Sequence, residues 1–427
     1  MSTQEKKRQE HNKEQQPAEA AKTLPWWRVV LDVALLPFLA IITALALSSI
    51  FIIISDTELL ALWRHVFSEP GVVLSASLKK LELSYGALIS GGLGNPSAIW
   101  DGLRTWIQTG DSTKLITSLE GIDRTLVYST PYIFAGLAVA LGFRCGLFNI
   151  GVEGQLFVGA MAATYIGYSI KGLPMLIHLP LALTAGALAG AIWSAIAGLL
   201  KAYTGAHEVV TTIMLNYVAF RLSDYMLTGP MKRSGFNPVS PPVEKSAWLP
   251  KLAPDPLRFH AGFFLALIVA YFVYWFLWKS TWGFEIRTVG ANPNAARYAG
   301  MSIAKNFILA MAVSGALAGL SGTSEILGVN HFMAQAFSSG YGFDSIALAL
   351  LGKSHPLGVV LASLLWGFLR AGATRMQSAA DIPIDIVQII QGMVIVFVAA
   401  PALVRMIWRI RAIAEEGETI FTRGWGT

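Results

Sequence analysis

Leu173–Leu200 reads LPMLIHLPLALTAGALAGAIWSAIAGLL, 28 residues without a charged side chain. A helix rises about 1.5 Å per residue, and about 20 apolar residues cross the ~30 Å hydrocarbon layer of a bilayer. The stretch therefore reads as a membrane span with residues to spare. Four further uncharged runs read the same way: Val33–Ile54, Thr125–Phe143, Ala261–Trp278 and Asn306–Ser324. Shorter apolar pieces lie at Leu156–Ile170, Val209–Phe220, Ser345–Leu351, Leu357–Leu369 and Ile386–Val404. A single run of this kind could be the buried helix of a soluble core; ten in one chain could not. Only helices and closed barrels satisfy the backbone in lipid. The expected fold is all-α, a polytopic membrane helical bundle of about ten transmembrane segments, some of them broken or re-entrant.

Composition agrees. Of 427 residues, 54% are apolar and 14% charged, and the mean hydropathy is +0.55. A water-soluble domain carries about 25% charged residues, so a large soluble enzyme is excluded. The apolar fraction excludes a disordered chain. Cys145 is the one cysteine, so no intramolecular disulfide forms. The net charge of +6 comes from basic residues between apolar runs, where membrane lipid explains them better than nucleic acid does.

Met1–Arg28 is polar, rich in Gln, Glu and Lys, and reads as a disordered tail. Lys6, Lys7, Arg8, Lys13, Lys22 and Arg28 precede the first span, which is too long for a signal-peptide core. The positive-inside rule puts this end in the cytoplasm. Arg405, Arg409 and Arg411 do the same for the C-terminus. Two cytoplasmic ends require an even number of crossings, in agreement with ten. The expected organisation is a cytoplasmic tail over 1–28, a transmembrane domain over 29–410, and a second cytoplasmic tail over 411–427.

Two long connections then fall outside the cell. Asp56–Arg124 reads as a mixed-charge loop with glycine- and serine-rich tracts such as Gly86–Ser97. Thr228–Arg258 holds Pro230, Pro238, Pro241, Pro242, Pro250, Pro254 and Pro256, which exclude a helix and favour an extended cover. Residues 279–305 fall inside. There Asn292 supplies an N-cap and Pro293 the first helical position. Ala295, Ala296, Arg297, Tyr298 and Ala299 favour helix, and Gly300 stops it.

Small residues recur every four positions at Gly186, Gly190, Ser194 and Gly198, and again at Gly315 and Gly319. That spacing lets helices approach closely in lipid; it carries no information about a substrate. Polar residues inside the membrane are more informative, because they are costly there and usually line a path. Two glycine-rich breaks each bring one carboxylate to the start of an apolar segment. The first is Gly142-Phe-Arg-Cys-Gly-Leu-Phe-Asn-Ile-Gly-Val-Glu-Gly-Gln155, with Asn149, Glu153 and Gln155. The second is Gly340-Tyr-Gly-Phe-Asp344. Paired broken segments in two halves point to a transport site. Tight turns at the membrane surface are the rival reading, and Glu153 and Asp344 fit either a structural role or substrate contact. Glu208, Thr212 and Asn216 share one helix face, and Arg221 can pair internally with Asp224. Glu325 closes a span near its outer mouth. Gly352-Lys353-Ser354 is not a phosphate loop, since Ala347 stands where that pattern needs glycine. No metal spacing or nucleophile elbow occurs, so no enzyme activity, metal or cofactor is expected.

Four tracts appearing in order carry a family resemblance. They are Thr130 to Gln155, Gly205-Ala-His-Glu-Val-Val-Thr-Thr-Ile-Met-Leu-Asn216, Gly283 to Gly300, and Gly340 to Pro356. Together they closely resemble the membrane permeases of bacterial nucleoside-type ABC importers, within the superfamily serving ribose, other simple sugars and branched-chain amino acids. The likeness covers about residues 25–410. It implies a plasma-membrane importer subunit that takes up nucleosides and uses no ATP itself. Its partners would be a second permease (homo- or heterodimer), ABC ATPase subunits that consume the ATP, and an extracytoplasmic substrate-binding lipoprotein. Asn149, Glu153, Gln155, Glu208, Asn216 and Asp344 would line the substrate pathway. Residues 279–305 would hold the coupling helix that enters a cleft in the ATPase. Its contacts would be Glu285, Arg287, Asn292, Pro293 and Arg297, with Ala295 and Ala296 as the close-packing surface. A simple-sugar permease is the alternative. An ion-coupled secondary transporter, with Glu153, Glu208 and Asp344 as ion sites, is a further one.

Overall fold

The computed structural model describes residues 26–410. The expected terminal tails lie outside them, except that Trp26–Arg28 already belong to the first helix. The helices are α1 (Trp26–Ser55), α2 (Thr57–Trp63), α3 (Pro70–Leu93), α4 (Pro96–Thr109), α5 (Thr113–Ser118), α6 (Glu120–Arg144), α7 (Val152–Ser169), α8 (Met175–Thr204) and α9 (Glu208–Thr228). After the proline-rich segment come α10 (Gly262–Lys279), α11 (Thr281–Ala291), α12 (Pro293–Tyr298), α13 (Ile303–Glu325), α14 (Tyr341–Leu351), α15 (Pro356–Ala380), α16 (Ile384–Ala399) and α17 (Pro401–Ile407).

Among the described residues, six helices are long and apolar enough to cross a membrane: α1, α6, α8, α10, α13 and α15. The α16–α17 pair, bent by 89°, adds a seventh. The other expected segments are α7, α9 and α14. Of these, α7 starts inside the bundle, α9 carries charge, and α14 has only 11 residues. The expected count of about ten is therefore approximate, while the fold class stands.

Contacts sort the connections onto two faces. On one, the Asp123 carboxylate near the start of α6 accepts from the backbone N–H groups of Arg258 and Phe259 at 2.8–3.1 Å. On the other, Arg144 at the end of α6 donates to the carbonyls of Ser354 and Lys353 at 2.9 and 3.1 Å. Trp278, at the end of α10, meets His355 at 5.1 Å on that second face. The proline-rich segment thus lies on one face and residues 279–305 on the opposite one. The segment is an ordered cover. Ser240, Val243 and Leu249 donate from their backbone to Met333, His331 and Leu327 at 2.8–2.9 Å, and Trp248 stacks on His331 at 3.7 Å.

Asp56–Arg124 departs from expectation. It is helical, and Gly86–Ser97 includes the end of α3 rather than a loop. The tract's glycines serve packing: a Cβ on Gly91 would lie 3.0 Å from the Gly372 Cα, so α3 can rest on α15 only because the side chain is missing. The excursion starts and ends on the cover face. Lys80 pairs with Asp56 at 2.6 Å just past α1, and Thr125 of α6 donates to the Gly92 carbonyl at 2.6 Å. On that face α4 exposes Trp100, Trp106 and Ile107, as a helix lying in a membrane interface does.

The small-residue stripes meet each other. Gly186 lies against Gly319 and Thr323, Gly190 against Gly315 and Gly319, and Gly198 against Met311. These pairings run α8 and α13 antiparallel through the centre of the bundle. A Cβ on Gly190 would come within 2.9 Å of the Gly319 Cα. Gly190→Leu should therefore force the two helices apart. Overpacking costs about 1–3 kcal/mol, seen as a lowered melting temperature of the detergent-solubilised protein. Gly86→Ala, with nothing within 4 Å of the new methyl, should hold or slightly raise the melt, because alanine is the better helix former.

Candidate functional site

The chain leaves α6 at Arg144, turns, and doubles back before α7 begins at Val152. That return exposes backbone groups to an apolar interior, where each must find a partner. Asn149 supplies several. Its Oδ1 accepts from the Gly151 N–H at 3.0 Å and from Gln155 Nε2 at 2.9 Å. Its Nδ2 donates to Gln155 Oε1 at 3.0 Å and to Ser314 Oγ at 2.8 Å. Both of its protons and both acceptor directions are thereby occupied. Asn216 of α9 works from the other side: Oδ1 accepts from the Gly154 N–H at 2.8 Å and Nδ2 donates to the Ile150 carbonyl at 3.0 Å. Asn149, Gln155 and Asn216 are all buried.

The second break is built from residues 331–340, with positive φ at His331, Ala336 and Gly340, and leads into α14. It meets the first break directly. The Gly342 N–H, in the first turn of α14, donates to Glu153 Oε2 at 2.5 Å, and Glu153 is 3% exposed. Position 342 tolerates only glycine, because a Cβ would lie 2.6 Å from the Glu153 Cα. One carboxylate thus joins the two glycine-rich tracts.

Asp344 faces the other way. Its Oδ2 accepts from Tyr132 Oη at 2.7 Å and from Trp366 Nε1 at 3.2 Å. Arg370 donates to Tyr132 Oη at 2.8 Å and stands 3.9 Å from the same carboxylate oxygen. The Arg370 guanidinium also lies 5.4 Å from the Tyr341 ring, in cation–π range. Tyr132 and Trp366 are buried, whereas the side chains of Asp344 and Arg370 keep 32% and 25% of their surface open. This pair is the charged part of the cluster that is open at the surface of the chain. Glu325 is buried nearby and accepts from Asn330 at 3.2 Å and Tyr341 Oη at 3.5 Å.

Sequence reading missed Tyr132, Trp366 and Arg370. The signal was an arginine four residues after a tryptophan in a membrane helix, just past the Leu357–Leu369 run. Of the residues it named, Asn149, Glu153, Gln155, Asn216 and Asp344 are gathered around the breaks. Glu208 lies apart, paired with Lys201 at 2.8 Å at the far ends of α8 and α9. Arg221 and Asp224 do approach each other, at 3.5 Å, but on the outside of α9, with the arginine side chain 87% exposed. The expectation of an internal pair is thereby corrected: the i, i+3 spacing fixed the partner, and the helix turned the pair outward.

On the opposite face, the Asn292 side chain caps α12 by accepting from Asn294 and Ala295 at 3.0 and 3.1 Å. Gly300, with φ of +80°, ends it. Glu285 accepts from Asn306 at 3.0 Å, and Arg287 donates to the Leu277 carbonyl at 2.9 Å, so both tie α11 to the bundle. Pro293, Ala295, Arg297 and Tyr298 are exposed, the last at 95%. Ala296 is fully buried within the chain. The two alanines therefore do not form one docking surface; a six-residue helix presents only one of them outward.

Residues 121–399 match the family described as branched-chain amino acid transport system / permease component. The chain belongs to this permease family. The guanosine ABC transporter permease protein NupP of Bacillus subtilis is 42% identical over 73% of this chain and 86% of its own length. The glucose ABC transporter permease protein TsgB13 of Haloferax volcanii is 39% identical over 66% and 77%. The nucleoside ABC transporter permease protein NupB of Lactococcus lactis is 34% identical over 68% and 82%. The first and third of these organisms each hold a second relative, NupQ and NupC, 27% identical to this permease. No solved structure matches the chain. The permease is thus a multi-pass membrane protein and a transport subunit.

Glu153 offers a test of the joined breaks. Glu153→Gln keeps an acceptor for the Gly342 N–H and should melt near wild type. Glu153→Leu strands that N–H, a loss of about 1–3 kcal/mol, and should melt several degrees lower in detergent.

Proposed function

We propose that the permease forms one half of the translocation pathway of a bacterial importer for nucleosides, driven by separate ATPase subunits. The observation that carries this is the 42% identity to a guanosine permease over 86% of that protein's length, supported by the nucleoside permease NupB. Simple-sugar uptake is the second reading, favoured by the glucose permease relative. The paired relatives NupP with NupQ, and NupB with NupC, support a second, distinct permease as the other half. An extracytoplasmic lipoprotein would deliver cargo to the cover face, and the ATPase would dock on α11–α12.

Within this reading Asn149, Gln155 and Asn216 hold the first break, and Glu153 fastens it to the second. Asp344 and Arg370 present the open charged pair, and Glu208 stands near the inner exit. ATP closure of the ATPase subunits would rock the helices around these breaks, as in hinged domain motions. Both termini and residues 279–305 face the cytoplasm in this orientation.

Uptake of tritiated guanosine by proteoliposomes holding both permeases and the ATPase, with the lipoprotein supplied outside, tests the assignment. Uptake should require ATP and survive collapse of ion gradients; the opposite pattern identifies an ion-coupled carrier. Glucose uptake in place of guanosine identifies the sugar reading.

Two variants separate coupling from folding. Ala295→Trp, on the exposed side of α12, should reduce substrate-stimulated ATP hydrolysis at least tenfold, about 1.4 kcal/mol of lost docking, with an unchanged melt. Ala296→Trp should lower the melt as well, because its site is inside the bundle. For orientation, a cysteine at Ser234 in a Cys145→Ser background should react with an impermeant thiol reagent in intact cells. One at Asn294 should react only after permeabilisation; the reverse pattern inverts the topology.

A further inference from the structure

Helix α9 runs the full distance between the two faces, from Glu208 beside Lys201 to the cover at Gly229. Its buried positions, Thr212, Asn216, Ala219, Ser223 and Leu227, face α7 and α8. Its other side carries Val210, Met214, Tyr217, Arg221 and Tyr225 in a stripe at spacings of three and four. These residues are strongly exposed: Tyr217 at 62%, Tyr225 at 64% and the Arg221 side chain at 87%. Asp224 borders the stripe and accepts from Gln335 at 3.1 Å, which links it to the second break.

A membrane helix does not turn such a stripe toward hydrocarbon. Ionisable side chains within a span face protein or water. Arg221 lies seven residues, about 10 Å, from the end of α9, and Tyr217 about 16 Å from it. An arginine could reach the membrane surface from that depth, but aromatic belts sit at the headgroups, and Tyr217 lies well below them. Tyr217 is also the immediate neighbour of Asn216, which faces inward and holds the first break. The stripe therefore runs past the break at its own depth.

We infer that Tyr217, Arg221, Asp224 and Tyr225 form a water-exposed wall of the translocation pathway and contact a planar heterocycle as it passes. The tyrosine rings offer faces for stacking. Arg221 supplies several donors in a fixed plane, and Asp224 supplies acceptors, so the two together match a base that carries both kinds of group on its edge. The wall rests on the importer reading, and the stacking contact on the nucleoside reading within it.

The test uses the complete transporter in proteoliposomes, in a Cys145→Ser background, with single cysteines at Tyr217, Arg221, Tyr225 and Ile192. Ile192 is on the apolar outer side of α8, 68% exposed. The three α9 cysteines should react with a charged methanethiosulfonate and the Ile192 cysteine should not. Guanosine should slow labelling at 217 and 221. Arg221→Gln and Tyr217→Leu should each reduce guanosine uptake about tenfold, the worth of one charge-assisted hydrogen bond or one stacking contact, while Tyr217→Phe retains it. Labelling at 217 and 221 as slow as at 192 overturns the wall. Fast labelling that guanosine does not slow, in a transporter that takes up guanosine, overturns the contact. A transporter that carries glucose and not guanosine, with 217 and 221 still labelled, overturns the nucleoside reading and the stacking while the wall stands.

Discussion

A backbone N–H inside an apolar bundle has no water to turn to, and this constraint organises the centre of the permease. Two helices begin away from the bundle surface, and each exposes the unpaired N–H groups that any helix start leaves. Side chains answer them: Asn149 for Gly151, Asn216 for Gly154 and Glu153 for Gly342. Asn149 acts within its own turn, but Asn216 and Glu153 reach across from a neighbouring helix, so the breaks are held only when α7, α9 and α14 are in register. A carboxylate in such a place is expensive unless bonded, and the bond to Gly342 gives it a partner that a sugar- or base-sized solute does not have to supply.

Around this centre the packing differs in kind. At its centre the α8–α13 pair is backbone against backbone, through Gly186, Gly190, Gly315 and Gly319. It forms a stiff frame. The first break is tied to that frame by the Asn149–Ser314 hydrogen bond and by the buried Leu147 and Val152. The cover is pinned to the end of α13 through Leu249, Val243 and Trp248, next to the segment that becomes the second break. A partner pressing on the cover therefore has a short mechanical path to α14.

Much of this was legible in the sequence. Uncharged runs gave the spans, because hydrocarbon thickness fixes their length. Glycine with an isolated carboxylate gave both breaks, and Asn292-Pro293 gave α12. Other features depended on neighbours that a linear pattern does not contain. Lys79, Lys80 and Glu82 interrupt the apolar pattern of α3, and its glycines read as part of a loop; their role against α15 exists only in three dimensions. Arg370 was lost at the end of an apolar run, although its partners Tyr132 and Asp344 lie far away in sequence. The inward turn of Ala296 and the outward turn of Arg221 follow from helical phase relative to the bundle, which residue spacing alone does not set.

The central claim is that Glu153 satisfies the start of α14 and so joins the two breaks. Hydrogen–deuterium exchange on the assembled transporter, read at peptides covering residues 338–346, tests it most directly. The account predicts slow exchange in the wild type and in Glu153→Gln, and fast exchange in Glu153→Leu that extends to residues 147–156 but leaves α8 and α13 protected. Equal exchange in the wild type and Glu153→Leu would contradict it.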